Sequence, residues 1–209
     1  MNWLRIVRAE LRKLTSTRMP LAFLTVFVVI GAATAAAVAF GTDMDGSKTF
    51  IATAADQQSL MAFAANSVVI AALFGTIAVA REYGHGTVVL TFLTTPRRTQ
   101  AVLAQLAAIF AAGCALGLGG AGVSAGSVAI GLAATDFSFM VPAADLMRVL
   151  AASTLAGGAG AVLGGGIGAL VRNTGGAVTG TILLLIILPP LAVQMASESA
   201  SWVPNTLAH

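Results

Sequence analysis

The residues able to do covalent chemistry in this chain are few and scattered. Gly122-Val123-Ser124-Ala125-Gly126 matches the G-x-S-x-G arrangement that presents a serine as a nucleophile. Such a serine needs a general base within reach. The two histidines, His85 and His209, both lie outside the apolar stretch that holds Ser124. In a segment so rich in glycine and alanine, helix packing accounts for the pattern, and no catalytic residue is assigned. The histidines and the single cysteine, Cys114, are far apart in sequence and make no metal-ligand set. No G-x-x-x-x-G-K-[ST] loop is present, so the chain itself is not expected to bind ATP, and no cofactor is assigned to it.

Polar chemistry concentrates instead in one interruption of the apolar sequence. Arg81-Glu82-Tyr83-Gly84-His85-Gly86-Thr87 is followed by a short apolar run and then by Pro96-Arg97-Arg98. Gly84 and Gly86 permit sharp turns around His85. Thr87 can cap a short helix over Val88 to Leu93, which would offer Val89, Leu90 and Leu93 to a groove on a partner. Pro96 would end that helix. Without a partner the strip would be apolar surface in water. Glu82 is expected to pair with a basic group of the partner or of the N-terminal helix.

The elements that hold this loop are expected to be membrane spans. The chain has 209 residues, 57% hydrophobic and 9% charged, where soluble domains carry about 25% charge. Apolar runs predict an all-α, polytopic helix bundle forming one transmembrane domain over 1–209. Its spans are 20–40, 60–80, 101–133, 149–171 and 175–196, with 81–98 as a cytoplasmic loop. Nine of the eleven Lys and Arg then face the cytoplasm and six of the eight Asp and Glu face outside. That asymmetry puts the N-terminus in the cytoplasm, and the basic balance reads as topology rather than nucleic-acid binding. Residues 99–135 carry no charge and admit one long span or two short ones turning near Gly117-Leu118-Gly119-Gly120. A single span keeps Asp136 and Asp145 outside and Arg172 inside, and is favoured.

Residues 2–18 predict an amphipathic helix lying in the inner interface. Leu4, Val7, Leu11 and Leu14 share one face, Arg5, Arg8 and Arg12 another, and Trp3 can anchor at the headgroups. Glu10, near the apolar edge, is expected to meet a basic group on a neighbouring element. Asn66 is expected to bond a neighbouring helix. Asp145 and Arg148, three apart, are spaced to pair. Pro189-Pro190 should kink the fifth span, and 197–209 reads as an outer segment. Seventeen of the 23 glycines lie between 113 and 180. The pairs Gly113/Gly117, Gly122/Gly126, Gly160/Gly164, Gly164/Gly168 and Gly176/Gly180 predict close packing among the third, fourth and fifth spans.

Taken in order, several segments resemble one family. Ala9-Glu10-Leu11-Arg12-Lys13-Leu14 leads into the first span. Glu82 to Thr87 follows the second, Pro96-Arg97-Arg98 precedes the third, and Arg172-Asn173 joins the fourth and fifth. The whole chain is similar in this layout to the permease subunit of a type-2 ABC exporter. The resemblance implies two permease subunits, as homo- or heterodimer, working with two ATP-binding-cassette ATPase subunits that hold ATP and Mg. It implies that Glu10, Arg12, Lys13 and the loop from Glu82, Tyr83 and Gly84 to Arg98 contact the ATPase. Six spans are usual there, so a sixth is expected beyond this sequence. Gln105 stands where such permeases often carry lysine.

The expectation is therefore an export permease in a bacterial inner membrane, in contact with lipid and not itself an enzyme. A hydrophobic or amphipathic cargo suits its apolar spans. A membrane scaffold or regulatory subunit is the alternative. An intramembrane serine protease using Ser124 is a remote third.

Overall fold

The computed structural model describes residues 3–43, 46–84 and 98–191, and every regular element among them is helical. In chain order these are α1 (Trp3–Ser16), α2 (Met19–Phe40), α3 (Ala54–Ala65), α4 (Ser67–Gly84), α5 (Arg98–Leu132), α6 (Ala143–Val171) and α7 (Thr174–Ile182). The last continues through a π-helical turn, Leu183–Ile187, to Leu191. Among the described residues, five helical stretches are long and apolar enough to span a membrane: Met19–Phe40, Ala54–Gly84, Thr99–Leu132, Ala143–Val171 and Thr174–Leu191. Large apolar side chains such as Val29, Phe40, Phe63 and Leu170 are exposed. Such a surface suits lipid and is costly in water.

The uncharged stretch forms one continuous helix, α5, so Gly117 to Gly120 is helical and makes no turn. The expected span 60–80 is different: it is two helices, α3 and α4, parted at Asn66. Asn66 has φ 29° and ψ 42°. Asparagine tolerates this left-handed region better than most residues, and there it starts a new helix. Its side chain is exposed, contrary to the expectation that it would bond a neighbouring helix. The prolines at 189 and 190 follow the π-helical turn. Proline has no N–H and crowds the preceding turn, which a π turn accommodates. Residues 192–209, including the end of the expected fifth span, lie outside the described residues.

Glycines decide how the helices meet. A Cβ on Gly160 would lie 2.5 Å from the Val68 carbonyl oxygen, and one on Gly168 would lie 2.6 Å from that of Thr76. Between them, a Cβ on Gly164 would strike the Ala72 carbonyl. Three rungs, each four residues apart on both helices, run in the same order, so α6 lies parallel to α4 at backbone contact. Gly113 and Gly117 of α5 meet Gly157 and Ser153 of α6 in the opposite order, so that pair is antiparallel. The tightest packing therefore joins the second and fourth spans, with the third against the fourth, whereas the third, fourth and fifth were expected to cluster. Gly122 and Gly126 have open space where a Cβ would go; Gly176 and Gly180 meet only the side chains of Val171 and Ile167. Glycine spacing reveals that a helix packs closely, but not on which partner.

Buried hydroxyls and one amide complete the core. Thr76 Oγ1 lies 2.8 Å from Thr181 Oγ1, 2.8 Å from the Ala72 carbonyl and 3.0 Å from the Gly164 carbonyl. One hydrogen-bonded centre thus ties α4, α6 and α7. At the acid-rich end, fully buried Gln57 donates to the carbonyls of Ile51 (3.2 Å) and Ser138 (3.0 Å) and accepts from Met140 N (2.9 Å). It fastens the two loops there together. Thr53 and Asp56 form a capping box on α3. Lys48 Nζ donates to the Ala39 carbonyl (2.7 Å) at the C-terminal end of α2, where the helix dipole favours a cation. Arg148 pairs with Asp145 at 2.8 Å, as their spacing predicts.

Candidate functional site

The bundle end opposite Asp43, Asp56 and Asp145 is where the charged N-terminal helix meets the spans. α1 is amphipathic: Arg5, Arg8 and Arg12 are exposed, and Leu14 packs against the buried clusters around Phe74 and Ile109. Its apolar edge is covered at least partly by protein. Glu10 on that edge is only 7% exposed. Its partner is Lys13 of the same helix, Nζ to Oε1 2.7 Å, rather than a basic group on another element. A lysine three residues away reaches back along the helix face.

Glu82 closes α4 from the other side. Gln105, two turns beyond the start of α5, donates Nε2 to Glu82 Oε2 at 2.6 Å. Glu82 lines one small cavity with Glu10 and Gln105, and an adjoining cavity of about 210 Å³ with Lys13, Thr17 and Arg81. Glu82 feels the charges of Lys13 and Glu10 with opposite sign. Two carboxylates, an ammonium and an amide thus share one partly buried patch. Such a patch holds its geometry only while each charge keeps a partner. Beside it, the Arg172 guanidinium lies 5.7 Å from the centroid of the Tyr83 ring, joining the ends of α4 and α6. Arg172 sits at φ 55° and caps α6 in the left-handed region.

Of the residues singled out in the sequence, Glu10, Lys13, Glu82 and Tyr83 come together here. Arg12 is exposed on the outer face of α1, and Gly84 is the last residue of α4. His85, Gly86, Thr87, Leu90, Leu93, Pro96 and Arg97 lie outside the described residues, as does the side chain of Arg98, the first residue of α5. Gln105 stands out in the sequence as a departure from a pattern, and its bond to Glu82 is not legible there. Ser124 is buried, and its hydroxyl donates to the Met61 carbonyl at 2.7 Å, a helix-to-helix bond. Thr76, Thr181 and Gln57 were missed altogether. For Thr76 and Thr181 the signal was a hydroxyl set in an apolar run, whereas Gln57 stands in the polar stretch Asp56-Gln57-Gln58-Ser59 and carries no such mark.

Comparison with protein-family models, characterised proteins and solved structures finds no match to this chain.

Proposed function

We propose that the chain is the membrane-spanning permease subunit of an ATP-driven exporter of the type-2 ABC kind, powered by a separate ATPase. The observation that carries this reading is the Glu10–Lys13–Glu82–Gln105 patch. It bonds the end of α4 to the first turns of α5, the two helices that residues 85–97 connect, and sets the amphipathic N-terminal helix beside them. A force applied to that connection acts on both helices at a point where they are already bonded. In this reading the ATPase grips the 85–97 segment and α1, two permease chains form the pathway, and an amphipathic cargo crosses between them. The basic end faces the cytoplasm of a bacterial inner membrane.

The test is co-expression with an ABC ATPase encoded beside it, purification through this chain, and ATP hydrolysis in nanodiscs. The expected result is a stable complex whose hydrolysis and export become uncoupled in Glu82→Lys. Arg97→Glu repeats the test outside the patch, in case Glu82→Lys fails to fold. A chain that inserts but retains no ATPase favours a scaffold.

A further inference from the structure

The helix break at Asn66 has the attributes of a binding site. By helix rise it lies about 22 Å from Arg81, inside a hydrocarbon core about 30 Å thick. At such a depth a continuous helix would satisfy every backbone group internally. Here α4 begins afresh. Its first ladder bond runs from Ile70 N to the Asn66 carbonyl at 3.4 Å, so the amides of Ser67, Val68 and Val69 stand at an open N-terminus. The positive end of an 18-residue helix thereby opens at Asn66, the residue at which α3 also ends.

A second observation is independent of the helix end. Ser67 is 6% exposed, and its buried hydroxyl has no hydrogen-bond partner among the described residues. A buried hydroxyl without a partner is rare and costly. Ser67 lines a cavity of about 280 Å³ together with Ala62, Asn66, Val68, Ser153 and the alanines 152 and 156. Asn66, Val68 and Ala152 are exposed, so the cavity opens on the flank of the bundle. Its lining combines small apolar side chains with hydrogen-bond donors from a hydroxyl, an amide and a helix N-terminus. None of the lining residues is charged.

We propose that this break binds the carboxylate head of an amphipathic molecule. The helix end and the Ser67 hydroxyl supply donors to one small monoanionic group. With no Lys or Arg in the lining, a dianionic phosphate would lack a counter-charge. The alanine-lined mouth between α4 and α6 leaves room for the chain of such a molecule to run out along the bundle flank. As a cargo site it rests on the permease reading; as a binding site it does not, and its test needs no ATPase.

The probe is cis-parinaric acid, titrated by fluorescence against the purified full chain in detergent, beside its methyl ester. The acid should bind saturably, and the ester about tenfold more weakly, the effect of one hydrogen bond to a charged group. Ser67→Ala should weaken the acid about tenfold, spare the ester, and raise the melting temperature of the ligand-free chain by removing an unsatisfied hydroxyl. Ala152→Phe should block both probes, whereas Ala151→Phe, outside the lining, should block neither. Should Ser67→Ala prove misfolded, the pair at 151 and 152 decides alone. Equal binding of acid and ester, acid binding untouched by Ser67→Ala or Ala152→Phe, or no saturable binding of the acid would each overturn the site. None of these results bears on ATPase coupling.

Discussion

Gln105 on α5 and Glu82 at the end of α4 are joined by a 2.6 Å hydrogen bond across 23 residues of sequence. Replacing Gln105 by leucine leaves a partly buried carboxylate without that donor. The expected loss is about 1–3 kcal/mol of stability, read as a lower melting temperature in detergent. Gln105→Lys supplies an ammonium in the same place and should lose markedly less. Equal losses would show that the bond contributes nothing.

The glycine rungs between α4 and α6 make a sharper prediction. Gly164→Val would force the helices apart against the Ala72 carbonyl, which side-chain movement cannot relieve. It should cost more than about 3 kcal/mol or prevent recovery of folded protein. Gly166→Ala and Gly122→Ala meet nothing within 4 Å and should leave the melting temperature unchanged or slightly raised, since alanine is the better helix former.

Thr76→Val removes the hydroxyl that serves α4, α6 and α7 together while keeping its shape. The Thr181 hydroxyl retains the Ala177 carbonyl at 2.9 Å as a partner. The expected cost is therefore about 1 kcal/mol, as for interhelical bonds in lipid. A double variant with Thr181→Val should cost less than the sum of the two single changes. Additive losses would contradict a shared centre.

Arg172 tests backbone against side chain. Its left-handed conformation penalises a Cβ, and its guanidinium contacts the Tyr83 ring. Arg172→Gly relieves about 1 kcal/mol of backbone cost and forfeits a contact of about the same size, so stability should barely change. Arg172→Val loses the contact and adds a branched Cβ in the wrong region, and should melt several degrees lower.

The limits of the helices were legible where charge bounds an apolar run: Arg18 before α2, Arg98 at the start of α5, and Arg172 after α6. The single helix through the uncharged stretch was legible because the one-span reading fits the expected excess of arginine on one side of a membrane. The parallel rungs of α4 and α6 agree with it, since a single helix antiparallel to α6 separates them in the chain. The break at Asn66 was not legible, because Ala65 and Ser67 around it are acceptable in a helix and only the tertiary setting selects the left-handed turn. The Thr76–Thr181 contact spans 105 residues, and hydroxyls in apolar runs carry no address. For Glu10, burial at the helix edge was readable, whereas a lysine on its own helix supplied the partner.

The rungs of α4 and α6 also limit how the protein can move. Backbone pressed on backbone at three successive turns leaves no half-register: the helices stay engaged, or one slides by a full rung of about 6 Å. For smaller displacements the two behave as a single stiff rod. Any displacement of α4 at Glu82 smaller than a rung would therefore move Asn66 by the same amount, and the joint left to flex is the one between α3 and α4.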